Sequence, residues 1–200
     1  MGPQGCGKGT LGSMVSEYCH LPLISTGQIL RSLDINHPWY KEVNDRMNDG
    51  GLVDQKKVAA LLDEELDKEK YKNGFILDGW YRSMKDVETY EVSLDKAFLL
   101  NISPETTVKR LGSRRTCPNC GAIYNIITVK PKVEGICDKC GGVLEQRQDD
   151  TEEAILKRLD IYHSETSDVI AFLKEKGILI EIDGEGPPKE VFQRIMPYLE

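Results

Sequence analysis

Gly2-Pro3-Gln4-Gly5-Cys6-Gly7-Lys8-Gly9-Thr10 follows directly on Met1. Four glycines in these nine residues let the backbone turn successive N–H groups inward around an anion. Lys8 adds a point charge, and a helix leaving the loop aims its N-terminal dipole at the same place. The spacing from Gly2 to Gly7-Lys8 is that of a phosphate-binding loop, with Gly9 where a hydroxyl residue is more usual and Thr10 one place later. The expected ligand is a polyphosphate nucleotide. Such a loop hangs from the end of a buried strand, and an upstream in-frame segment of about five or six apolar residues is therefore expected. Without it, the 200-residue chain is expected to be poorly folded or weak in nucleotide binding.

Downstream, Leu11, Met14, Val15 and Tyr18 recur at helical spacing, so a helix runs from Lys8 to Cys19 and Pro22 ends it. Leu23-Ile24 reads as a short strand running into Ser25-Thr26-Gly27, which starts a helix through Leu30 and Arg31. Helices are expected over 38–49 and 54–70, the second with Val58, Leu61, Leu62 and Leu66 on one face. Phe75 to Leu77, Ala97 to Ile102 and Ile178 to Ile182 are short apolar runs suited to parallel strands covered on both sides. Strands alternating with helices predict an α/β fold, a doubly wound parallel sheet of the P-loop NTPase kind with helices on both faces. Asp150-Thr151-Glu152-Glu153 reads as the cap of a long helix with Ile155, Leu159, Tyr162, Val169 and Leu173 facing inward.

Apolar residues at 40% and charged residues at 30% suit a globular core. A net charge of −7 excludes a general nucleic-acid or anionic-membrane surface, so positive charge has to be concentrated locally. No apolar run approaches the roughly 20 residues of a membrane span, and no leader pattern is present; a soluble cytoplasmic protein is expected. Four of the six cysteines form two pairs, Cys117-Pro118-Asn119-Cys120-Gly121 and Cys137-Asp138-Lys139-Cys140-Gly141, with sixteen residues between them. Four thiolates at this spacing close a tetrahedral structural zinc site in a reducing compartment. By itself such a ribbon also reads as a nucleic-acid module. Lys130, Lys132 and Lys139 lie among Glu134 and Asp138, and Tyr124 is the segment's one aromatic residue, so a basic stacking surface is missing. Cys6 reads either as a thiol activated by Lys8 and the helix N-terminus or as a small packing residue.

Phosphoryl transfer asks for alignment and for positive charge around the migrating group. Arg31, Arg82, Arg110, Arg114, Arg147 and Arg158 each stand beside a turn or an element end. With these residues the chain resembles bacterial-type adenylate kinases that carry a long zinc-binding lid. The resemblance implies transfer from ATP to a nucleoside monophosphate, AMP above all, by a monomer using Mg2+ with ATP and Zn2+ as a structural ion. Neither nucleic acid nor membrane is an implied partner. The implied architecture is a core of 1–25, 56–113 and 148–200, an acceptor-binding insert at 26–55 and a small β zinc-ribbon lid at 114–147.

The resemblance assigns ATP to Gly5, Cys6, Gly7, Lys8, Gly9, Thr10, Arg110, Ile123, Tyr124 and Gly186. It assigns AMP to Thr26, Arg31, Gly51, Leu52, Val53, Gly79, Trp80, Tyr81, Arg82, Asp86, Arg147 and Arg158. Asp78 would hold the magnesium water shell, and Lys8, Arg82, Arg114, Arg147 and Arg158 would carry catalysis. Cys117, Cys120, Cys137 and Cys140 would hold zinc.

Three positions depart from the family pattern. Gln28 replaces an Asp, Trp80-Tyr81 replaces Phe-Pro, and Asp86 replaces a Gln that reads the acceptor base. A carboxylate only accepts, so it takes adenine's exocyclic N–H but cannot donate to the ring nitrogen; guanine offers paired N–H donors. Two rival readings remain beside the kinase: an inactive or weakly active nucleotide-binding remnant of this fold, and the zinc-ribbon nucleic-acid module.

Overall fold

Two parallel strand pairs, wrapped by helices, form the centre of the computed structural model, which describes residues 1–199. Helix α1 (Lys8–Cys19) leaves the glycine loop, β1 (Leu23–Ser25) follows, and α2 (Thr26–Arg31), α3 (Tyr40–Asn48) and α4 (Gln55–Leu66) lead to β2 (Ile76–Asp78). Then come α5 (Met84–Thr89), β3 (Ala97–Asn101) and α6 (Pro104–Gly112), and the small hairpin β4 (Arg114–Thr116) and β5 (Ile123–Asn125). The chain returns through α7 (Glu152–Glu175), β6 (Leu179–Asp183) and α8 (Pro188–Ile195). Strand β1 pairs in parallel with β2, Leu23 opposite Ile76 and Ser25 opposite Asp78. Strand β3 pairs in parallel with β6, Ala97 opposite Leu179 and Asn101 opposite Asp183.

These pairs are separate ladders. Met1 lies along β3, where the Leu100 N–H donates to the Met1 carbonyl at 3.0 Å and the Met1 amino group donates to the Phe98 carbonyl. That alternation is the pattern of a parallel ladder. Burial pushes the Met1 amino group below its ordinary pKa, because an ammonium loses its hydration there.

Helix ends follow local chemistry. Asp54 caps α4 by accepting from the N–H groups of Lys56 and Lys57 at 3.0 and 3.2 Å. The expected helix over 54–70 stops at Leu66, and a 3-10 turn over Glu69–Tyr71 swings Tyr71 into the core with its hydroxyl donating to Glu65 at 2.9 Å. Ser103 caps α6, whose first residue is Pro104. Thr151, within the expected cap, accepts from Ala154 N at 3.3 Å and starts the 24-residue α7.

One core cluster joins Ile24, Val43, Leu62, Trp80, Tyr81, Val169 and Leu173 on the β1–β2 side. Another packs α1 and α8 onto β3 and β6 through Leu11, Val15, Leu100, Ile182, Val191 and Ile195, and it contains Cys6. Cys6 is 1% exposed, so of its two readings the packing one describes it. Among the described residues no helix is long and apolar enough to cross a membrane.

A small cluster of Leu111, Ile155 and Leu159 fastens α6 to α7. These helices carry Arg110 and Arg158, so their relative position matters to the site. Leu111 is fully buried, and Leu111→Ala is expected to lower stability by about 2–5 kcal/mol. A urea midpoint equal to that of the wild type would contradict this role.

Candidate active site

The glycine loop is built from backbone conformations closed to other residues. Gly2 has φ 130°, and a Cβ there would lie 2.4 Å from the Leu100 carbonyl oxygen. Gly7, at φ 98°, is the N-cap of α1. Lys8 opens that helix and curls back, its Nζ donating to the carbonyls of Gly2 at 2.6 Å and Pro3 at 2.8 Å. Arg110 reaches from α6 to the carbonyls of Gly5 and Cys6, both at 3.4 Å, and of Gly184 and Gly186 at 3.2 and 3.0 Å. It thereby ties the loop to the turn after β6, bringing together Gly5, Cys6, Arg110 and Gly186.

Two residues from elsewhere meet at Gly9. A methyl group there would lie 3.7 Å from Ile123 Cδ1 and 3.8 Å from Asp78 Oδ2. The 114–147 segment therefore sits down over the loop, and its Gly121 also abuts Gln28 of α2, whose Nε2 would be 3.2 Å from a Cβ at that glycine. Asp78 ends β2, and its Oδ1 is buried without a hydrogen-bond partner among the described residues. A carboxylate oxygen left without a donor beside a phosphate loop suits the water shell of a hard cation, so these residues fit magnesium.

A cavity lies beside this junction. Thr26, Arg31, Gly51, Leu52, Val53, Gly79, Trp80, Arg82, Asp86 and Arg158 line it, together with Gln4, Met47, Val58 and Asp149. Positive charge crowds its rim. Arg31 Nη2 is 3.2 Å from Asp149 Oδ2, and Arg158 Nη1 reaches the same oxygen at 3.0 Å and Asp150 Oδ1 at 3.6 Å. Arg114 grips both oxygens of the fully buried Asp150 carboxylate, with Nε at 2.7 Å. Arg147 Nε donates to Thr116 Oγ1 at 3.0 Å.

The electrostatic consequences are large. Burial, then the like charges of Arg114 and Arg31, push the Arg147 guanidinium down to about 9. Burial likewise pushes Arg158 down to about 10, with Asp149 opposing the shift. Burial would raise the Asp149 carboxyl, but Arg158 and Arg31 together hold it below the usual carboxylate value. Guanidinium groups in this condition gain from an arriving phosphate that supplies the missing counter-charge. The sequence assigns Asp150 only to the cap of α7 and gives Asp149 no role; the signal for both is a pair of carboxylates between Arg147 and Arg158.

Three side chains depart from the expected roles. Tyr124, expected near the donor base, turns into the lid core, where its hydroxyl accepts from Asp138 N at 2.8 Å and lies 3.6 Å from Cys137 Sγ. Its neighbour Ile123 faces the glycine loop at Gly9 instead, because alternate residues of β5 face opposite ways. Tyr81, expected at the acceptor, is buried away from the cavity; its hydroxyl donates to Val92 O at 3.0 Å and accepts from Val92 N at 2.8 Å. Its φ of 55° is left-handed, which costs a side-chain-bearing residue about 1–2 kcal/mol. Asp86 lines the cavity but uses Oδ2 to accept from Arg82 N at 2.7 Å and Ser83 N at 2.8 Å. The two N–H groups engage that oxygen, so the paired contact expected for guanine is closed off.

The four ribbon thiols all lie within 4.8 Å of one another, with Cys117 and Cys140 sulfurs 3.4 Å apart and those of Cys120 and Cys137 3.5 Å apart. A tetrahedral zinc with bonds of about 2.3 Å needs sulfur separations near 3.8 Å, so this set fits. The turns are closed by Gly121 N donating to Cys117 O and Gly141 N to Cys137 O, each at 2.9 Å. Little else packs the lid beyond Ala122, Tyr124 and Leu144. Since zinc contributes roughly 10–16 kcal/mol in small metal-dependent domains, chelation is expected to lower the melting temperature. An unchanged melt after verified metal loss would contradict a structural role.

The family model for adenylate kinase matches residues 1–178. The adenylate kinase of Clostridium tetani (strain Massachusetts / E88) is 39% identical over 203 residues, covering 98% of this chain and 94% of that protein. That of Thermodesulfovibrio yellowstonii (strain ATCC 51303 / DSM 11347 / YP87) is 40% identical over 208 residues, 100% of this chain and 97% of the relative. The Fervidobacterium nodosum (strain ATCC 35602 / DSM 5306 / Rt17-B1) adenylate kinase is 38% identical over 201 residues, 96% and 92% of the two chains. With a phosphate loop at one end of the cavity, arginines around it and matches of this length, the chain belongs to the adenylate kinase family.

Proposed function

We propose that this protein transfers the γ-phosphoryl group of ATP to AMP, giving two molecules of ADP. The observation that carries the reading is the convergence of Arg31, Arg82 and Arg158 on one cavity beside the Lys8 loop, with Arg114 and Arg147 in the same charge cluster. In the reaction the bond from the γ-phosphorus to its bridging oxygen breaks and one to an AMP phosphate oxygen forms. Little covalent help is needed, so alignment and charge do the work.

Gly5 to Thr10 would cradle the donor phosphates, with Lys8 exchanging its loop carbonyls for phosphate oxygens. Asp78 would hold the water shell of magnesium, which neutralises charge between the phosphates. Thr26 and Gly51 to Val53 would receive the acceptor base, and Arg31 and Arg82 its phosphate. Arg114, Arg147 and Arg158 would spread charge over the migrating group, while Ile123 covers the donor end. Zinc would hold the lid rather than act in the chemistry. Closure of residues 114–147 over the loop and against 26–55, on the remaining core, excludes water and so favours transfer over hydrolysis. A cytoplasmic monomer, acting on nucleotides and on neither nucleic acid nor membrane, accompanies this reading.

A coupled assay for ADP from ATP with AMP, GMP, CMP or UMP tests it. ADP formation greatest with AMP is expected; ATP binding without ADP from any acceptor would overturn transfer. Because the N–H groups of Arg82 and Ser83 take up Asp86 Oδ2, Asp86→Gln is expected to leave the preference for AMP over GMP within about two-fold. A roughly ten-fold or larger change in that ratio would show that Asp86 reads the base.

A further inference from the structure

The geometry points to Tyr81 as the residue that sets Arg82 at the acceptor phosphate, a positioning role that rests on the acceptor site proposed above. Gly79 at φ 90° and Tyr81 at φ 55° reverse the chain twice within three residues. Arg82 emerges from that double turn on the cavity wall, whereas the Tyr81 ring goes the other way into the core. A tyrosine leaves the left-handed region unless something holds it there. Here the hold is two-sided: the phenol both donates to and accepts from the backbone of Val92, in a site 4% exposed where water does not compete.

The neighbouring contacts make the arrangement over-determined. Trp80 Nε1 donates to Tyr90 O at 3.1 Å, so two consecutive side chains stitch the turn to residues 90–92. Arg82 is then pinned at each end of its own peptide unit. Its N–H donates to Asp86 Oδ2 at 2.7 Å, and its carbonyl accepts from Thr166 Oγ1 of α7 at 2.8 Å. Its Nε folds back to Gly79 O at 2.9 Å, leaving the terminal nitrogens for an anion. Residue 81 therefore holds the guanidinium in place without touching the ligand, and its phenol supplies what keeps the strained backbone in register.

Tyr81→Phe removes the hydroxyl alone, and Thr166→Val, nearly isosteric on a helix, releases Arg82 from the opposite side. Calorimetric titration with AMP and with ATP, separately, reads the effect without turnover, and KM for each substrate reads it during turnover. AMP affinity is expected to weaken roughly five-fold or more in each variant, with KM for AMP rising alike and ATP affinity kept within about two-fold. Equal losses for ATP and AMP, or AMP binding unchanged in Tyr81→Phe, would overturn the positioning role. A wild type that binds AMP but forms no ADP would refute the transfer reading while leaving this test intact.

Discussion

Like charges brought together out of water repel, and the active cavity depends on how that repulsion is held in check. Arg31, Arg114 and Arg158 lean on two carboxylates, Asp149 and Asp150, that are themselves 6% and 2% exposed. Neither side is stable alone: a buried carboxylate without its cations, or the cations without it, would be strongly disfavoured. Four guanidiniums, those of Arg31, Arg114, Arg147 and Arg158, share two carboxylates, so the balance is incomplete and leans toward positive, while burial, more than any charge, depresses Arg147 and Arg158. A phosphate completes it. This charge deficit is local, since the protein as a whole carries −7.

Backbone constraints decide where that charge can be used. The loop's glycines adopt conformations that place N–H groups rather than side chains around the anion, and Arg110 locks the loop to the turn after β6 through four carbonyls. On the acceptor side the same principle is met differently. A tyrosine occupies a left-handed position and the phenol's two hydrogen bonds offset its strain. The four ribbon thiols answer a third problem: a zinc ion held by them would give order to a segment whose own apolar core is too small to fold.

Much of this was legible in the residues. Gly2 to Thr10, the two cysteine pairs and the apolar runs at 75–77, 97–102 and 178–182 each carry a local constraint strong enough to read directly. The expected helix over 54–70 overruns its end at Leu66 because that residue keeps the periodicity, while nothing in the sequence marks Tyr71 as breaking away to reach Glu65. Helices α5, α6 and α8 are too short for apolar spacing alone to mark them, although Ser103-Pro104 and Pro187-Pro188 are start signals of a familiar kind. Side-chain direction was the least legible property. Tyr124 and Ile123 are adjacent on one short strand, and which of them faces the glycine loop is a matter of pleat. Asp86 was read for its base contact, but its use of Oδ2 on Arg82 and Ser83 appears only when the turn is built.

The central claim is that the arginine cluster around Asp149 and Asp150 is where the phosphoryl group moves. Arg158→Lys keeps the charge that Asp149 needs but loses the planar fork, so the fold should survive while the transition state loses a placed donor. The rate of ADP formation from saturating ATP and AMP tests this most directly. A fall in kcat of about 10²–10³, with an unchanged melting temperature, is the result the account predicts. A kcat within a few-fold of the wild type would contradict it.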